Sequence, residues 1–387
     1  MKTRSSTPVY SLFQGFYWAS SCLVYSYTRV FLMNYGYSAS VAGIVLAVGS
    51  LAAVLLQPLL SSLMHSKGIT LRTVLSAICA CGILCGLVML LPLPAPAVVA
   101  FFTLLGIVTN STMGFLNSAG FMLDAGRGTL NFPVARGVGS VCYALMSKLM
   151  SALAPGRGLL VCYLGCALGL MLLSLCLLPR QEPVEAAENS AEETVRTGFI
   201  SRNRFYLLML IGQVLLWFQH NVLSGYLYDL AIYCGGTGEE MGTAILIGAL
   251  AEVPGMILAG VLVKKHDTAR LLQLSVVLYC VRFGMFLLFP SLPMLYVTEV
   301  MQMVTFSLLI PVFPVFVEDH CAPGDRIRCQ TLNAASTCAS GFFGYLLGGL
   351  LVDSFGVFFT LKVSFFIGLP GAFLLFFFAE KTLRAGK

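Results

Sequence analysis

Apolar residues run along this chain in stretches of roughly 20, the length an α-helix needs to cross a ~30 Å hydrocarbon layer at ~1.5 Å per residue. Between Gly, Pro and charge clusters the windows predict spans 1 to 6 at 10–33, 40–63, 73–91, 97–121, 134–154 and 158–178. Spans 7 to 12 follow at 204–231, 241–263, 271–289, 294–317, 329–352 and 357–378. The expected fold is an all-α membrane protein of twelve transmembrane helices, divided into an N-terminal six-helix half (1–178), a charged linker (179–203) and a C-terminal six-helix half (204–387). The linker holds Glu182, Glu185, Glu188, Glu192, Glu193, Arg180, Arg196 and Arg202 without an apolar period, and reads as solvated and flexible. Tyr10 to Met33 is too long for the apolar region of a signal peptide and no small-residue cleavage site follows, so span 1 is expected to persist.

Composition sharpens this pattern: 58% of the 387 residues are hydrophobic and 10% charged, and a mean hydropathy of +0.88 leaves too little polar surface to coat a soluble domain. The net charge of +6 has a topological explanation. With the N-terminus inside, the inside segments collect Lys2, Arg4, Lys67, Arg72, Arg127, Arg180, Arg196, Arg202, Arg204, Lys264, Lys265, Arg270, Arg326, Arg328, Lys381, Arg384 and Lys387, while the outside connections hold only Arg157. Both termini and the linker are therefore expected in the cytoplasm of a multi-pass cell-membrane protein, its basic groups facing lipid headgroups and no nucleic acid. Most of the thirteen cysteines fall inside spans, where they pack helices; neither a disulfide framework nor a metal site is expected. The loops after spans 2 and 8, HSKGITLR (65–72) and KKHDTAR (264–270), both end in Thr-x-Arg, as two related halves would.

Ionisable groups at membrane depth mark function more often than those that snorkel. Arg136, Arg282, Glu252 and Glu299 stand out. The turn 290–293 makes spans 9 and 10 a hairpin, with Arg282 eight residues before Pro290 and Glu299 six after Pro293. At ~1.5 Å per residue the two lie at similar depth, so an Arg282–Glu299 ion pair is expected, with Glu252 as a competing partner and a purely packing role as the alternative. Arg29, Lys148, Lys362 and Asp353 sit nearer helix ends, where snorkelling accounts for them.

Polar stripes at helical spacing run along Arg136, Ser140, Tyr143 and Ser147 on span 5, Gln14, Trp18, Ser21 and Tyr25 on span 1, and Asn110 and Asn117 on span 4. The second half has Gln213, Trp217, His220, Asn221 and Ser224 on span 7, Glu299, Gln302 and Thr305 on span 10, and Gln330, Asn333, Thr337 and Ser340 on span 11. Any one stripe is explained by interhelical hydrogen bonding; several together argue for a shared aqueous cavity. Trp18 and Trp217 are either stacking faces for a sugar or base or ordinary packing, and His220 is either a proton carrier or a neutral hydrogen-bonded imidazole.

The QPLL run (57–60), ARGVGSVCYAL (135–145), Glu252 and Val281-Arg282 resemble the oligosaccharide/proton symporter branch of the major facilitator superfamily, along nearly the whole chain. The resemblance implies the major facilitator fold, Arg136 as the arginine that grips sugar hydroxyls, Tyr143 as a stacking aromatic with Ser140 between them, Glu252 as a hydrogen-bond acceptor, and Arg282 as the group promoting proton release. The sequence departs from that pattern in several places. The acidic partner of the span 5 arginine falls at Asn117 or Ser118, the span 10 histidine at Gln302, the proton-carrying glutamate at Thr305, and the loop Gly and Asp at Ser61 and His65.

The expected function is a secondary transporter of a small hydroxyl-bearing solute, a sugar, glycoside or nucleoside, working by alternating access as a monomer. Substrate contacts are expected at Arg136, Tyr143, Ser140, Trp18, Asn117, Glu252, Trp217, His220 and Asn333, and proton or ion coupling at Glu252, Arg282, Glu299 and Gln302. An exporter of amphipathic compounds, suggested by 28 Phe and 16 Met, and a membrane sensor without flux are the alternatives. An enzyme is not expected, and no cofactor, since neither a P-loop nor a nucleophile elbow is present.

Overall fold

The computed structural model describes residues 5–124, 130–154, 156–180 and 199–385. Lys2, Arg4, Arg127, Lys387 and linker residues 181–198, Glu182 to Arg196 included, lie outside the described residues. Among the described residues the chain is helical and carries no strand. The helices are α1 (Thr7–Ser26), α2 (Thr28–Met33), α3 (Ala39–Lys67), α4 (Leu71–Met89), α5 (Ala95–Asp124), α6 (Phe132–Leu153) and α7 (Gly158–Leu177), then α8 (Phe199–Arg202), α9 (Arg204–Gly225), α10 (Leu227–Tyr233), α11 (Gly238–Leu262), α12 (Thr268–Leu288), α13 (Leu292–Val300), α14 (Phe306–His320), α15 (Arg326–Phe355) and α16 (Val357–Ala385). Among the described residues, ten stretches are long and apolar enough to cross a membrane. The two remaining spans are α1 with α2, interrupted at Tyr27, and α6, whose polar face lowers its hydropathy.

Three predicted spans are not continuous helices. Span 1 breaks at Tyr27 and span 7 at Tyr226, and each tyrosine hydroxyl donates to a main-chain carbonyl at 2.6 Å, Tyr27 to Ser147 and Tyr226 to Tyr345. Span 10 breaks between α13 and α14 through a 3-10 turn at Met301–Met303. Just beyond it, α14 contains Pro311 and Pro314, which supply no N–H to the helix ladder. In all three windows apolar residues continue on both sides of the break, so span hydropathy carried no sign of where the helix is interrupted. The linker-side end is also more ordered than expected. Phe199–Arg202 form the short α8, held where Arg202 makes two bonds to Asp325 at 3.0 and 3.2 Å and Asn203 a third at 3.0 Å.

The chain divides into two compact units, Met1–Tyr37 with Val48–Thr194, and Ser38–Ala47 with Val195–Lys387. The first is organised around Tyr10, Phe13, Tyr17, Leu71, Leu75, Phe115, Leu116 and Leu170, all buried. In the second, α9 and α16 approach through Gly212 and Gly371, where an added Cβ would meet the facing carbonyl at 2.7 Å. Asp353 does not snorkel as expected. Its carboxylate accepts from the N–H groups of Ala39 and Ser40 at 2.9 and 2.8 Å and from the Ser40 hydroxyl, capping α3 within the second unit. Lys362 lies over Phe358 at 4.6 Å, and Arg29 donates to the Tyr37 carbonyl at 3.2 Å.

Candidate functional site

In the first unit, α1 and α6 pack so closely that a Cβ on Gly139 would meet Trp18 Cδ1 at 2.5 Å. That approach places Trp18 beside the α6 polar face. The Arg136 guanidinium lies over the indole, 3.8 Å from its centroid, and donates to Ser140 Oγ at 2.8 Å. The indole is braced at its N–H edge: Trp18 Nε1 donates to Gln14 Oε1 at 2.9 Å, Gln14 Nε2 donates to Tyr10 Oη at 2.5 Å, and Tyr10 donates to Asn117 Oδ1 at 3.4 Å. Tyr143 meets Trp18 edge-on at 6.1 Å and shares a 2.5 Å hydroxyl bond with Ser26. Tyr25 donates to Asn110 at 3.1 Å and lies 6.2 Å from the same indole. Arg136, Ser140, Tyr143, Trp18 and Asn117 therefore converge, at partial exposure except for buried Ser140. Tyr10, absent from the sequence expectations, links Gln14 to Asn117; its signal was its place one turn before Gln14 on the same stripe.

The second unit holds the other arginine in a closed setting. Arg282 is 0% exposed and Glu299 2%, and Arg282 Nη2 lies 3.3 Å from Glu299 Oε1. Gln302 donates to the other carboxylate oxygen. The wall behind is Gly248 on α11, where a Cβ would meet both Glu299 Oε2 and Gln302 Nε2 at 2.6 Å. Glu252, half-buried on the same helix, stands within electrostatic range of Glu299 and Tyr279; the ion pair itself goes to Glu299. Thr305 is buried and donates to the Met301 carbonyl at 2.7 Å, inside the helix break.

Around Arg282 lies an aromatic group. His220 stacks on Phe306 at 4.7 Å, meets Tyr279 edge-on at 6.2 Å, and lies 6.0 Å from Trp217, which in turn is 5.6 Å from Phe306. Arg282 Nε and Nη1, Tyr279 Oη, Trp217 Nε1 and His220 Nδ1 are buried with no hydrogen-bond partner among the described residues. A buried polar atom left unpaired costs about 1–3 kcal/mol, and five such atoms belong to this group. Asn333 on α15 also has a buried, unpartnered Oδ1, but no hydrogen bond joins its side chain to the cluster. Tyr279 and Phe306 were not expected from the sequence, although Tyr279 precedes Arg282 by one turn.

The sequence model of the MFS_1-like family matches residues 9–363. Maltose permease of Geobacillus stearothermophilus is 27% identical over 213 residues, 54% of this chain and 53% of that protein. The chain thus matches about half the length of this curated relative. Two solved structures share the fold across nearly their whole length. A point mutant of the nucleoside transporter NupG has a TM-score of 0.79 at 16% identity, covering 96% of this chain and 98% of that one. A D-xylose-proton symporter has a TM-score of 0.74 at 14% identity, covering 98% of each.

Proposed function

The chain belongs to the MFS_1-like family and has the twelve-helix major facilitator fold, and from that premise we propose that it is a secondary transporter of a small hydroxyl-bearing solute, a sugar, glycoside or nucleoside. The Arg136–Trp18 platform carries the reading. A guanidinium held 3.8 Å over an indole and bonded to Ser140 presents N–H donors for hydroxyls beside an aromatic face. Tyr143 and Tyr25 flank the same ring, and Asn117 extends the polar row through Tyr10 and Gln14. Polar solute recognition uses a few placed donors among aromatic walls. The named relatives support this class: one a maltose permease, one a nucleoside transporter, one a D-xylose-proton symporter.

In this reading the second unit supplies coupling, with Glu299 the proton-exchanging carboxylate and Arg282 and Gln302 setting its affinity by binding or releasing its oxygens. Glu252 is a second acceptor within range. His220 and Trp217 offer ring nitrogens to the solute, and Asn333 a carbonyl oxygen. The protein would sit in the cell membrane with termini and linker cytoplasmic.

The test is solute-triggered pH change in proteoliposomes across a panel of sugars and nucleosides, with Arg136→Ala and Glu299→Gln. Alkalinisation outside right-side-out vesicles on adding one solute, lost in both variants, is the expected result. Flux without pH change removes the coupling role. Competition by hydrophobic cations and by no sugar or nucleoside replaces the reading with export of amphipathic compounds.

A further inference from the structure

α16 carries a row of exposed side chains at intervals of four residues. Phe373 and Phe377 stack at 5.7 Å with an 8° interplanar angle, and are 65% and 43% exposed. The next position in the row is Lys381, whose Nζ lies 4.4 Å from the Phe377 ring and 5.7 Å from Phe205 on the neighbouring α9. Arg204, at the start of α9, lies over that same Phe205 ring at 4.7 Å. Phe205 and Phe378 stack at 5.8 Å and tie the two helix ends together. Two exposed cations thus share one aromatic floor at the linker-side end of the second unit, and neither has a carboxylate partner among the described residues. Glu380 precedes Lys381 by one position, about 100° round the helix, and has an interaction of its own.

We propose that Arg204 and Lys381, with the Phe373–Phe377 row, form a binding site for an anionic glycerophospholipid. The layout matches an amphiphile. The row extends about 12 Å from Phe373 to Lys381, at ~1.5 Å per residue, so an acyl chain lies along the rings while the headgroup phosphate sits between the two cations. Snorkelling alone brings one lysine to headgroup depth; here rings on both helices hold two cations around a single position, and an unpaired cation pair selects an anion over a zwitterion.

The test is native mass spectrometry of the full chain from nanodiscs of phosphatidylcholine and phosphatidylglycerol in equal amounts. The expected result is retention of phosphatidylglycerol over phosphatidylcholine, with each of Arg204→Ala and Lys381→Ala lowering the preference about fivefold, the effect of one basic group near an anionic headgroup. Lys67→Ala, which removes an exposed cation of the first unit, leaves the preference unchanged, and Lys381→Arg with Arg204→Lys preserves it by preserving charge. An unchanged preference in the double alanine variant overturns the proposal, as does loss of the lipid to millimolar inorganic phosphate, which would mark a phosphate site with no use for the acyl row.

Discussion

Helices α1 and α9 carry the same frame and opposite chemistry. Gln14, Trp18 and Tyr27 recur at the same spacing as Gln213, Trp217 and Tyr226, and the two tyrosines make the same helix break with the same 2.6 Å bond to a carbonyl. The neighbours then diverge. Gln14 braces its tryptophan, and an arginine lies on the indole face. Gln213 turns instead to α15, donating to Thr337 at 3.2 Å and accepting from Ser336 at 3.1 Å, which leaves Trp217 Nε1 without a partner. Where α1 has Ser21, α9 has His220, and the nearby arginine is sealed against a carboxylate. A repeated backbone solution fixes where side chains stand, while the helix packed alongside decides whether an arginine lies half-exposed over an aromatic face or is buried against a carboxylate.

The contrast predicts its largest effect at Arg282. Arg282→Ala strands the Glu299 carboxylate inside the second unit, and unpairing a buried ion costs about 3–5 kcal/mol, read as lost stability in denaturant unfolding of the purified protein. Arg282→Met combined with Glu299→Leu regains most of that loss, because no buried charge remains. A double variant as damaged as the single one would mean that helix packing, and not charge pairing, holds this site.

The wall behind the pair comes next. Gly248→Ala places a methyl where both Glu299 and Gln302 now stand, and overpacking of this kind costs about 1–3 kcal/mol. Its sharper signature is an altered pH dependence of transport, since the carboxylate loses its alignment with Arg282 and Gln302; an unaltered profile would remove Glu299 from coupling. At Arg136 the pattern inverts. Arg136→Ala forfeits a half-exposed cation–π contact worth about 0.5–1 kcal/mol, yet solute uptake falls at least tenfold, equivalent to about 1.4 kcal/mol. An Arg136 variant that unfolds, or an Arg282 variant that folds normally, would break the contrast outright.

Much of this was legible in the sequence, for reasons that differ by element. Span positions followed from hydropathy because a membrane segment must be apolar almost throughout, and the Arg282–Glu299 depth match followed from a four-residue turn that leaves a hairpin little freedom. Arg136 and Ser140 were readable as one helical face. The partners were harder. The bracing of Trp18 by Gln14 lies along one helix and was latent in the stripe, but the guanidinium over the indole depends on Gly139 admitting the ring, a close approach that glycine content alone does not reveal. Asp353 looked like a snorkelling end group because its ligands, the N–H groups of Ala39 and Ser40, stand over three hundred positions away. The breaks at Tyr27 and Tyr226 were hidden because a tyrosine that donates to a carbonyl on another helix is, in sequence, one more aromatic in an apolar window.

Those tyrosines give the finest test of the shared frame. Tyr27→Phe and Tyr226→Phe each remove one hydroxyl and leave the ring in place, so each loses its bond to the facing carbonyl, about 1 kcal/mol, and orphans that carbonyl. Both side chains are buried and each donates one 2.6 Å bond at the same point of a broken helix, with Ser151 as a second neighbour of the Tyr27 hydroxyl, so the losses from the two carbonyl bonds should agree to within about 0.5 kcal/mol. In the double variant they should add, because the tyrosines share no partner. Tyr226 has one further duty, since its ring also lies against Gly348 on α15, where a Cβ would meet it at 2.8 Å; that contact survives the change to Phe. A clear inequality would therefore locate a function at one break that the other lacks, and would show that the repeat is preserved in geometry while its energetics have separated.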